Sequence, residues 1–142
     1  MAHYRTYEVY EVFDLFTKTT NNAERVALLQ KHDTPALRDV LRGTFDDRLV
    51  WILPEGTPPY TPNRPESSPQ SLHKAHKEFG YYVKGGYGNN MNSMKRESMF
   101  MRMLESVHPS DANIILSMVA KKRPVKYLNK KLTQETFPNL IP

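Results

Sequence analysis

The chain has no cysteine, a single tryptophan and only six glycines. None of its apolar runs approaches the roughly 18 residues that a membrane-spanning helix requires. Each shortage removes a class of protein. Without cysteine there is no disulfide scaffold, no thiolate zinc site and no thiol nucleophile, a composition that fits a reducing compartment. The first residues, Met1–Ala2–His3–Tyr4–Arg5, lack the apolar segment of a secretory signal. The expectation is a cytoplasmic protein without a membrane partner. What is present is ample for a core: 142 residues, 39% of them hydrophobic, read as one domain over 1–142.

Charge is unevenly placed. Residues 1–65 carry eight Lys/Arg against nine Asp/Glu, whereas residues 66–142 carry twelve against six. The C-terminal half is therefore strongly basic, which marks either a solvated surface or the footprint of a polyanion binder. The excess is densest between Lys121 and Lys131, where six basic residues occur with no acidic one.

Hydrophobic periodicity predicts helices almost throughout. Val9, Val12, Phe13 and Phe16 recur at helical spacing in a segment from Tyr4 to Lys18. Asn21, with Glu24 three residues on, opens a second helix whose core side carries Val26, Leu28 and Leu29. Thr34–Pro35 opens a third, with Leu37, Val40 and Leu41 inward and Gly43 as its expected stop. The run Leu49–Leu53 reads as a helical turn or an extended packed segment, with Trp51 in the core. From Pro54 to Pro69 six prolines exclude a helix or a central strand, so a long loop is expected. Helical spacing resumes over Gln70–Tyr82, with Leu72, Ala75, His76 and Phe79 on one side. A helix capped at Asn92 or Ser93 then runs to Val107, its methionines read as adaptable packing. His108–Pro109 breaks it, and Ser110 is expected to cap the next helix, which carries Ala112, Ile115, Leu116 and Val119. Asn129 caps a last short helix closed by Phe137–Pro138. The predicted fold class is a compact, multi-helix, all-α domain.

Catalytic chemistry is hard to assemble from these residues. His73 and His76 have a spacing that could share a metal, but a zinc site needs a third ligand, and they are read as surface histidines. Asp46 and Asp47 are adjacent and should point to opposite faces. The glycine-rich Lys84–Gly85–Gly86–Tyr87–Gly88 lacks the ending of a phosphate loop. It is either a turn between helices or a place where Lys84 and the amides of Gly85 and Gly86 approach a phosphate. No metal or cofactor is implied. The basic edge of Lys121, Lys122, Arg123, Lys126, Lys130 and Lys131 is suited to a phosphodiester backbone without sequence readout.

Two blocks of sequence carry a family resemblance. The first runs from Val12–Phe13–Asp14–Leu15–Phe16 through Ala27–Leu28–Leu29–Gln30–Lys31–His32 and Leu37–Arg38–Asp39–Val40–Leu41 to Thr44–Phe45 and Ile52. The second runs from Met118 to Phe137–Pro138–Asn139–Leu140–Ile141–Pro142. Together they resemble the N-terminal, all-helical DNA-binding domain of ATP-dependent DNA ligases, nearest to the T-even bacteriophage type. The resemblance implies a helical fold that grips duplex or nicked DNA. In the closing motif Lys122 stands at the family's arginine, Arg123 replaces an acidic residue, and Tyr127 falls where a glycine is usual. No Lys–x–Asp–Gly nucleophile motif occurs, and the chain ends at Pro142, where a ligase would enter its nucleotidyltransferase domain. The expectation is a non-enzymatic, free-standing phage accessory protein that binds DNA through Lys84, Gly85, Gly86 and the basic edge. Two alternatives stay open: binding of a host or phage partner protein, and capture of a small anionic nucleotide.

Overall fold

Helix starts are set by local hydrogen bonds. In the computed structural model, which describes residues 6–67 and 69–142, α1 spans Val9–Lys18 and buries Val9, Val12, Phe13 and Phe16. It begins later than its periodicity indicates. Glu8 is extended, its side chain accepts the Glu11 amide, and its own amide donates to Glu11 Oε1 at 2.9 Å, closing the helix there. Of the expected earlier turn, Tyr4 and Arg5 lie outside the described residues. Helix α2 (Asn22–Lys31) is capped by Asn21, which accepts from the Glu24 amide, and α3 (Pro35–Phe45) by Thr34, with Pro35 in the first turn.

Gly43 does not end α3. The helix continues to Phe45, and Gly43 is buried inside it. A methyl group at Gly43 would lie 2.5 Å from Met118 Sδ and 2.7 Å from Trp51 Cζ2. The glycine is there for close packing, and its carbonyl accepts the Trp51 indole N–H at 2.9 Å.

After α3 the chain turns at Asp47 and Arg48 and then runs extended to Trp51, which forms an isolated antiparallel bridge with Val83. The proline-rich stretch is a loop with one 3-10 turn at Pro65–Ser67. The helix expected over 70–82 is instead one α-turn, α4 (Leu72–Ala75), followed by a 3-10 helix, His76–Tyr82. The tighter winding has a packing reason: three residues per turn bring His76, Phe79 and Tyr82 onto one side. Phe79 and Tyr82 are buried.

Helix α5 (Ser93–Ser106) is capped by Asn92. Helix α6 (Pro109–Val119) is capped not by Ser110 but by His108, whose Nδ1 accepts the Ser110 amide at 3.0 Å. Tyr10 stacks on that imidazole with ring centroids 4.1 Å apart, which holds it in the capping orientation. Helix α7 (Lys130–Thr136) is capped by Asn129.

The domain is all-α, with seven α-helices and no strand among the described residues. Helix α6 is its centre, packing on α1, α3 and α5, while α7 packs on α2. Its composition fits that position. Asp111, Ala112, Ile114, Ile115 and Met118 are all buried, on more than one face, as a helix surrounded by others requires. The end of the chain closes the core: Leu128, Leu132, Phe137 and Ile141 are buried, and Gln30 Nε2 of α2 donates to the Thr136 carbonyl at 3.1 Å.

Candidate nucleic-acid interface

The basic edge is the connection between α6 and α7, and its shape follows from how α6 ends. The Lys121 amide donates to Met118 O at 3.0 Å and the Lys122 amide to Ser117 O at 2.9 Å. This is the paired closure in which the residue beyond the cap turns left-handed, a place usually taken by glycine. Lys121 accordingly has φ 58°. The reversal sends Lys122 and Arg123 out from the end of α6, where the helix dipole favours cations.

The connection is pinned at several points. Lys121 Nζ donates to the Asp46 carbonyl at 2.8 Å, and partial burial holds its ammonium below the usual lysine range against the pull of Asp46 and Asp47. Tyr127 has φ 74°, and the Arg25 guanidinium lies 4.3 Å from its ring centroid. Arg25 is itself fixed by donating to Thr19 O at 2.7 Å. Leu128 is fully buried. Lys130 Nζ sits 3.2 Å from Asp47 Oδ2. Lys122, Arg123, Lys126 and Lys131 are exposed and form no ion pair among the described residues. Within the α6–α7 connection these four are the cations that can meet an external anion.

Asp46 and Asp47 diverge as expected. Asp46 is buried and accepts two bonds from the Arg48 guanidinium, which hold its carboxyl below the usual range. Asp47 is exposed. The same short segment meets the glycine-rich turn at its far end, where the Lys84 amide donates to Val50 O at 2.8 Å. Lys84 is exposed, but the turn's amides are committed within the protein. Gly85 N donates to Asn89 Oδ1 at 2.9 Å and Gly86 N to Val83 O at 2.9 Å. Gly85 holds φ 83°, and a methyl group on Gly86 would lie 2.1 Å from Gly80 O. These glycines thus serve turn geometry and close backbone packing, and only the Lys84 side chain is available to a phosphate.

His73 and His76 are half-buried and bonded within the protein rather than free on the surface. His73 Nε2 lies 2.8 Å from the Tyr7 carbonyl, and His76 Nδ1 lies 2.6 Å from Asp39 Oδ2, tying the 3-10 helix to α3. No group of three metal-ligating side chains occurs among the described residues. Asp111 is a second buried acid that nothing in its local sequence marks: it is 1% exposed, and neither of its carboxyl oxygens has a hydrogen-bond partner.

Beside the basic connection lies an open cleft of about 710 Å³ between α5, α6 and the segment 51–59. Trp51, Phe100 and Met101 give it apolar walls, and Glu97, Lys122 and the exposed Glu55 supply charge. Neither this cleft nor the contact of the Arg25 guanidinium with the Tyr127 ring is legible in the sequence, since both join elements distant along the chain.

The fold and the exposed cations define a small helical protein with a basic, pre-shaped connection at one edge. Over residues 12–124 the chain matches, and belongs to, the family of unknown function DUF6433. The matched span takes in Lys84 to Gly86 and Lys121 to Arg123 and stops before Lys126, Lys130 and Lys131. No curated protein and no solved structure matches the chain. No helix among the described residues is long and apolar enough to cross a membrane.

Proposed function

We propose that this protein is a non-enzymatic DNA-binding protein that holds the phosphate backbone through the α6–α7 connection, without sequence specificity. The observation that carries the reading is the set of four exposed, unpaired cations, Lys122, Arg123, Lys126 and Lys131, on a connection pinned at Lys121, Tyr127 and Leu128. Pinning matters because an ordered loop loses little conformational freedom on binding. The position of Lys131 is also informative. A cation in the first turn of α7 opposes the helix dipole, and Lys131, unlike Lys130 with Asp47, has no acidic partner to account for it. Tyr127 adds support to the ligase-domain resemblance, because its left-handed backbone is the conformation that a glycine at the matching position adopts readily. On that resemblance the protein acts as a phage accessory factor in the host cytoplasm.

Fluorescence anisotropy with a labelled duplex tests the proposal. Four phosphate contacts give a slope of log K against log salt of about −4, and hence a loss of roughly a hundredfold in affinity between about 50 and 200 mM salt. Binding that is absent or indifferent to salt would refute it. A partner-protein reading is favoured by the exposed Tyr87 and Met94 near the start of α5. It takes precedence if duplex DNA fails to bind and Tyr87→Ser abolishes co-purification of a partner from infected cells.

A further inference from the structure

We propose that the cleft beside Lys122 receives one unstacked nucleobase of the strand held by the α6–α7 connection, so that the protein favours DNA with an unpaired nucleotide over fully paired DNA. The inference rests on the DNA-binding reading above and adds the structure of the DNA recognised. Its first basis is continuity. Lys122 belongs both to the exposed basic connection and to the rim of the cleft, so a backbone phosphate at Lys122 brings its own base to the opening. The second is size and chemistry. At about 710 Å³ the cleft lies within the range of small-ligand sites, and the half-buried Trp51 ring and Met101 side chain offer flat or polarizable apolar surface to a base, over a floor that includes the buried Phe100.

The third basis is Glu97. It is half-buried in the same cleft and makes no hydrogen bond or ion pair among the described residues. A carboxylate so placed would repel a phosphate but accept a hydrogen bond from an exocyclic amino group. Adenine, cytosine and guanine carry such a group and thymine does not. A purely aliphatic occupant would leave both Glu97 and Lys122 without partners, which disfavours a lipid chain. The segment 54–59 that borders the cleft includes Gly56 at φ 86°, with open space around it, so the wall has room to adjust.

The test uses the full chain and four oligonucleotide probes: a paired duplex, the same duplex with one extrahelical adenine, one with an extrahelical thymine, and one with an abasic bulge. Trp51 is the only tryptophan and lines the cleft, so its fluorescence reports occupancy. The expected result is that the adenine bulge binds about tenfold more tightly than the duplex, the range of one stacked base, and quenches Trp51 while the abasic bulge does neither. Ala120→Phe, which fills the cleft from an exposed rim position, should remove that gain and leave duplex affinity unchanged. Glu97→Met should remove the preference for adenine over thymine alone. Equal affinity for all four probes overturns the base pocket while leaving DNA binding intact. Loss of binding to every probe overturns both readings. Quenching by free dAMP at the same concentration as by the adenine bulge overturns the strand-borne base in favour of a free nucleotide.

Discussion

Asp111 should make the protein less stable as pH rises. Its carboxyl is 1% exposed, and neither oxygen has a hydrogen-bond partner. Burial first, and then the nearby Glu8 carboxylate, push its pKa up to about 7 from 3.8; the Tyr10 backbone amide, near it but outside hydrogen-bond geometry, opposes them, and Glu11 adds a smaller push. Because the folded state holds this proton more tightly than the unfolded chain, its contribution is fully present below about pH 4. That contribution declines as pH climbs to about 7 and is then lost. A shift of about three units corresponds to roughly 4 kcal/mol across that window, a large fraction of the stability of a domain this size. Asp111→Asn keeps the shape and removes the titration. The amide still lacks partners, so the variant need not be more stable at every pH. The decisive quantity is the difference in unfolding free energy between variant and wild type. It should move in favour of the variant by several kcal/mol, up to about 4, between about pH 4 and pH 8. Urea titrations followed by Trp51 fluorescence measure it, and contributions from other groups cancel in the comparison. Parallel pH profiles for the two proteins would refute the reasoning.

Other outcomes follow from packing and caps. Gly43→Ala drives a methyl group into Met118 and Trp51 and should cost about 1–3 kcal/mol by chemical denaturation, although alanine ordinarily favours a helix. Tyr127→Ala keeps the left-handed backbone but loses the Arg25 contact, which should cost about 1 kcal/mol; Tyr127→Gly, which also relieves the backbone, should be closer to neutral. Phe137→Ala removes a buried ring beneath the Arg38 guanidinium and should cost about 3–5 kcal/mol, seen as a fall in denaturation midpoint. Replacing Lys122, Arg123, Lys126 and Lys131 together by alanine should remove most of the salt dependence of DNA binding and leave the thermal midpoint almost unchanged, since none of the four forms an ion pair and Lys126 makes only an exposed contact with the Tyr127 ring.

The parts of the fold that sequence reasoning reaches are those built from neighbours. Asn21, Thr34, Asn92 and Asn129 each cap a helix through a bond to an amide two or three residues ahead, so the residues that make the bond stand together in the chain. The spacing of Val9, Val12, Phe13 and Phe16 reports a buried face for the same reason. Errors arise where a distant residue supplies the cause. Gly43 looks like a helix terminator until Met118 and Trp51 are seen against it. His76 looks solvent-facing until Asp39 comes within 2.6 Å. Ser110 is the conventional cap, but the His108 imidazole, held by Tyr10, takes the role. The glycines at 85 and 86 looked able to offer amides to a phosphate, and the structure commits both amides internally.

An all-α domain, the order of most of its helices and the concentration of positive charge between α6 and α7 are readable from the order of residues alone. Periodicity, capping and net charge are local or additive properties, which need no knowledge of the partner across the core. Tertiary structure alone decided which of those charges are spent and which are exposed. Lys121 and Lys130 are drawn to Asp46 and Asp47, whereas Lys122, Arg123, Lys126 and Lys131 stay unpaired. It also decided that Asp111 is sealed in the core and that a cleft opens beside Lys122. An ion pair, a buried carboxyl and a cavity each depend on atoms brought together from separate helices, and no single stretch of chain contains them.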